Sequence, residues 1–120
     1  MTVRKPTAGE KQFWSLAEPL LARAGVTRST MMGFPCLRFD GDFFASCDHR
    51  SGNLVVKLDE PRVIELVNAG KAEPFAPNGH RFREWASIPV GRQRSWANLL
   101  DEALQCAAHR RTETHDGSRR

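Results

Sequence analysis

Residues 34–47 read Phe34-Pro-Cys-Leu-Arg-Phe-Asp-Gly-Asp-Phe-Phe-Ala-Ser-Cys47. Asp40-Gly41 at the centre is a hairpin signal, because a two-residue type I′ turn needs positive φ at both central positions. The β-prone runs on either side become its strands. Counting outward from the turn sets Arg38 against Phe43, Cys36 against Ala45 and Phe34 against Cys47. On that register one face shows Phe34, Cys36, Phe43, Ala45 and Cys47, and the other Leu37, Phe39 and Phe44. Both faces are apolar, whereas a half-solvated sheet alternates apolar and polar residues. The second face therefore needs a cover, either a helix or another copy of the chain.

The flanking sequence extends this hairpin into a meander. Thr27 to Gly33 is β-prone at its start, and Leu54-Val-Val-Lys-Leu58 follows the polar turn Asp48 to Asn53. A helix is predicted over 10–24, with Phe13, Leu16, Ala17, Leu20, Leu21 and Ala24 at helical spacing. Pro19 should kink or restart it, and Gly25 should end it. A short helix over 60–69 has Asp59 as its N-cap, Pro61 in the first turn and Gly70 as its stop. Glu73 to Gly79 reads as a loop, and Phe82 to Ile88 as one more strand. The last helix carries Trp96, Leu99, Leu100, Ala103, Leu104 and Ala107 on one stripe. The fold class is α+β: an antiparallel sheet of four to five strands, packed by an N-terminal helix, a C-terminal helix and one short helix. Residues 1–8 form a basic tail, 9–110 the single domain, and 111–120 a polar tail.

The chain of 120 residues is 40% hydrophobic and 27% charged, an ordinary globular composition. No apolar run approaches the roughly 20 residues that span a bilayer, and the N-terminus lacks the apolar stretch of a secretory signal. Three cysteines form an odd set without framework spacing, which fits a reducing cytoplasm. The formal charge of +4 lies wholly in residues 1–11 and 110–120, leaving a neutral body. A committed duplex binder would instead carry its excess on the fold.

Several motifs, in order, resemble a known family. They are Met31-Met-Gly-Phe34, Asp40-Gly-Asp-Phe-Phe-Ala45, Leu54-Val-Val-Lys-Leu58, Ala69-Gly70, Glu73-Pro-Phe75 and Trp85-Ala-Ser-Ile-Pro89. Together they resemble the N-terminal domain of the TfoX/Sxy family, named for a bacterial regulator of natural competence, over about residues 9–108. Met32 and Phe34 stand where that family usually has Phe and a second Gly. The helical C-terminal domain of the full-length regulators has no counterpart here, so the likeness is to a stand-alone N-terminal domain. The MmcQ/YjbR proteins are more distantly similar. The resemblance implies an α+β fold and a regulatory association, with no catalytic residue to carry over.

Candidate chemistry is sparse. Cys47-x-His49 and Cys106-x-x-His109, with Cys36 in reserve, have the donor types of a zinc site. Small buried thiols explain the same cysteines, and no metal or other cofactor is expected. Asp40 and Asp42 flank a hairpin tip, where Asp serves turn geometry. No nucleophile elbow or phosphate loop occurs, so the chain reads as non-enzymatic. Arg81, Arg83 and Trp85, with Arg92 and Arg94 beyond, form the one place where basic and aromatic residues interleave in the body. They could serve a partner or a nucleic acid, with Glu73 and Glu84 as alternative partners for the arginines. The expected function is a protein-interaction or regulatory adaptor, with weak nucleic-acid binding through those arginines and the tails as the alternative. A homodimer is expected, along with a further protein partner, and no membrane.

Overall fold

The computed structural model describes residues 8–31, 34–48 and 50–116. Its elements are α1 (Ala8–Leu21), β1 (Val26–Met31), β2 (Phe34–Phe39), β3 (Asp42–Cys47), β4 (Leu54–Lys57), α2 (Glu60–Asn68), β5 (Glu73–Phe75), β6 (Phe82–Ile88) and α3 (Trp96–Asp116). The fold is α+β. All strand pairs are antiparallel, in the order β1-β2-β3-β4-β6-β5. Among the described residues, no helix is long and apolar enough to cross a membrane.

The hairpin forms as its sequence dictates. Asp40 and Gly41 take φ of 49° and 91°, and Phe39 pairs with Asp42 across the two-residue turn. Beyond Arg38–Phe43 the expected register fails. Leu37 faces Ala45 and Cys36 faces Ser46, because a β-bulge leaves Phe44 as an extra residue on β3. Phe44 falls on the Leu37 side in either register; the bulge turns Ala45 and Cys47 to that side as well, and all three are fully buried. The faces are thereby reassigned: Leu37, Ala45, Val56 and Ala86 form one row, and Cys36, Ser46, Val55 and Ser87 the next row on the opposite side.

All three helices contribute to the single core cluster that contains Leu37, Ala45, Val56 and Ala86, so they share one side of the sheet. On α3, Trp96, Leu99, Leu100, Ala103, Leu104 and Ala107 are all buried, as their spacing predicts. Arg62 of α2 ties that helix to α3, with Nε 2.7 Å from Glu102 and Nη1 2.6 Å from Glu65. These carboxylates, Glu102 foremost, hold its guanidinium even more firmly protonated than usual.

Several boundaries differ from expectation. Pro19 neither kinks nor restarts α1; it occupies the last turn, and the chain tightens into turns from Ala22 onward. Asp59 occupies the N-cap of α2 without a side-chain capping bond, its carboxylate lying 3.6 Å from Arg110 of α3. Gly70 does stop α2: at φ +74°, its N–H donates to Val67 and that of Lys71 to Leu66, a Schellman closure. The expected loop 73–79 contains β5, a sixth strand. Pro74 is tolerated because β5 is the sheet edge, where a missing N–H breaks no interior ladder. Helix α3 runs through 111–116, part of the expected tail, because neither Gly nor Pro interrupts it before Gly117. The tails at 1–7 and 117–120 lie outside the described residues.

Candidate functional site on the helix-free face

The side of the sheet opposite the helices carries cations and rings on neighbouring strands. Arg38 of β2 stacks its guanidinium 4.2 Å from the Phe43 ring centre on β3. Lys57 of β4 pairs in register with Trp85 of β6. Trp85 lies 6.5 Å from Phe75, Phe75 lies 5.8 Å from Phe82, and Phe82 lies 4.8 Å from His80. Phe43, Trp85 and Phe75 are half-buried, Phe82 is exposed, and none packs against the core cluster. Strand pairing thus assembles a surface from residues 38 to 85 that no local motif announces.

At the end of the sheet, between this face and residues 107–110 of α3, lies an open recess of about 400 Å³. Gly41, Asp42, Phe43, Lys57, Trp85, Ala107 and Arg110 line it. Two guanidinium nitrogens beside Phe43 are buried without a hydrogen-bond partner, Nε of Arg38 and Nη1 of Arg110. The same Nη1 of Arg110 makes the longer ion pair to Asp59 described above.

The arginines singled out from sequence are not brought together. Arg81 and Arg83 stand at the start of β6, and Arg92 and Arg94 follow its end, separated by a strand about 20 Å long. Arg83 is 77% exposed and lies 4.0 Å from Glu60 of α2, rather than pairing with Glu73 or Glu84. Arg92 and Arg94 line a separate shallow recess formed by residues 90–95. Trp85 alone of the five joins the helix-free face. Sequence reasoning missed Lys57, Arg38 and Arg110, whose only signal is the register that sets Lys57 beside Trp85.

The candidate zinc donors are also separated. Cys47 belongs to the core, Cys36 to the opposite side of the sheet, and Cys106 to α3 beside Asp59. His49 lies outside the described residues. Burial pushes the Cys36 thiol above its ordinary value near 9.0, against smaller opposing effects of Ser29 and Arg38. Burial, reinforced by Asp59, does the same to Cys106. Both thiols therefore stay neutral through neutral pH. Alkylation of the folded chain by iodoacetamide should be slow at about pH 7.5 and still be rising above pH 9, because only the thiolate reacts. Rapid labelling of either cysteine at neutral pH would contradict this.

No family model matches the chain, and no curated protein or solved structure matches it either.

Proposed function

We propose that this chain is a non-enzymatic interaction module of the TfoX N-terminal type, a cytoplasmic regulatory adaptor that works by protein contact. The observation that carries the reading is the helix-free face, where Arg38–Phe43 and Lys57–Trp85 set cations beside half-buried rings. Interfaces favour this mixture of aromatic and cationic side chains. Thiols held in their neutral form argue against a cysteine nucleophile, which supports the non-enzymatic half of the reading.

A second copy of the chain is the first partner, paired along β1. The two sheet edges differ in how they are protected. β5 is blunted by its three-residue length, by Pro74 and by a bulge against β6. β1 is six residues long and has no proline. An unprotected edge is a template for another strand, and antiparallel β1–β1′ pairing about a two-fold axis satisfies it. The dimer then rests on this edge, instead of on a second apolar face, and leaves the rim of Arg38, Phe43, Lys57 and Trp85 for the regulated protein, since the central row of Cys36, Ser46, Val55 and Ser87 is itself buried.

Binding of single-stranded nucleic acid is the second reading, favoured by the alternation of rings and cations on the same face. Its contacts would be Arg38, Lys57 and Arg110, since Arg81, Arg83, Arg92 and Arg94 are divided between two ends of β6. Three phosphate contacts would give a slope of about −2 in log K against log salt. Titration of the full chain with a fluorescent single-stranded oligonucleotide separates the readings. The adaptor predicts no saturable binding even at low salt. Saturable binding with that slope would replace it with the nucleic-acid reading.

A further inference from the structure

We propose that the recess at the end of the helix-free face is a binding site for a planar aromatic carboxylate. The inference goes beyond the adaptor reading and does not depend on it, because every lining residue comes from one copy and none lies on β1. Its volume of about 400 Å³ falls in the range of small-molecule sites, roughly 300–1,000 Å³.

The lining sorts into two chemistries. Phe43 and Trp85 come from β3 and β6, the strands on either side of β4, so their backbones stand about 10 Å apart. The two rings offer a flat aromatic ligand stacking partners beside the Lys57 stem. Ala107 supplies a small apolar wall from α3. Lys57, from the strand between the two rings, brings an ammonium to the same recess.

The anionic end of the ligand is indicated by the guanidiniums. Lys57 and Arg110 line the recess and Arg38 stacks on its Phe43 wall, so cations outnumber the nearby carboxylates. Nη1 of Arg110 stands 3.6 Å from Asp59, beyond the length of a good hydrogen bond. A carboxylate, with two oxygens, can accept from more than one such donor. Asp42 on the rim and Asp59 beside Arg110 offset part of the positive charge. The balance favours one negative charge on the ligand over the two of a phosphate monoester.

The test is a titration of the full chain with 2-naphthoate, followed by the indole N–H resonance of Trp85, which is assigned with Trp85→Phe. A saturable shift is expected. The neutral isostere 2-naphthamide should bind about tenfold more weakly, the loss expected for one charge-assisted hydrogen bond. Lys57→Gln should weaken naphthoate by a similar factor and leave naphthamide unchanged, with Arg110→Gln as a second variant should Lys57→Gln fail to fold. Absence of a saturable Trp85 shift would overturn the proposal. Equal binding of naphthoate and naphthamide would also overturn it, as would tighter binding of adenosine monophosphate. None of these results bears on whether two chains pair along β1.

Discussion

Replacing Trp96 by alanine should cost about 3–5 kcal/mol of folding stability, the usual range for truncating a large aromatic in a core. Trp96 is fully buried at the first position of α3. Its indole Nε1 donates to the Pro89 carbonyl at 3.3 Å, so the ring fixes where the segment after β6 enters the helix. Alanine would leave a cavity beneath α3 and release that carbonyl. Domains of this size are stable by about 5–15 kcal/mol, so the variant should be near its threshold. A melting temperature lower by roughly 10–20 °C is expected. A change of under about 1 kcal/mol in denaturant titration would contradict the placement of Trp96.

Gly9→Ala should be destabilising, against the ordinary sign of that exchange. Alanine inside a helix normally gains roughly 0.5–1 kcal/mol over glycine. In α1, however, Gly9 is buried against the 48–53 turn, where an added Cβ would collide with the Gly52 carbonyl. Gly52 cannot retreat easily: it sits at φ +78° and donates to the Asp48 carbonyl at 2.7 Å. The helix must shift, at a cost of about 1–3 kcal/mol typical of overpacking. Gly91→Ala is the control, because nothing lies within 4 Å of its Cβ position and its φ is not positive. It should be close to neutral. A stabilised Gly9→Ala variant would show that α1 does not dock on Gly52.

What the sequence revealed depended on how local the determining physics was. The Asp40-Gly41 turn, the bounds of β6 and the apolar stripe of α3 follow from residues that are neighbours in the chain, and the structure has them where their patterns lie. The bulge was hidden because Phe43-Phe44 fits either register, and only the gain from turning Ala45 and Cys47 toward the helices chooses between them. β5 was hidden by Pro74, which is acceptable only once its place at the sheet edge is known. The candidate site was the least legible part. Its contributors Arg38, Phe43, Lys57, Trp85 and Arg110 meet through strand order and through the return of α3 across the sheet. The local Arg81–Trp85 cluster, by contrast, gave only Trp85.

The adaptor reading begins with pairing of two chains along β1, and sedimentation equilibrium of the full chain tests it most directly. At about 10–100 μM, where a micromolar dimer is populated, the measured mass should be twice 13.5 kDa. A register centred on Ser29 sets Thr30 opposite Arg28 of the second copy, and both are exposed. Thr30→Lys places an ammonium directly opposite the Arg28 guanidinium at both ends of the seam, so the variant should sediment at 13.5 kDa while keeping its melting temperature within a few degrees. A mass of 13.5 kDa for the unmodified chain throughout that range would contradict the account. So would a dimer that Thr30→Lys leaves intact.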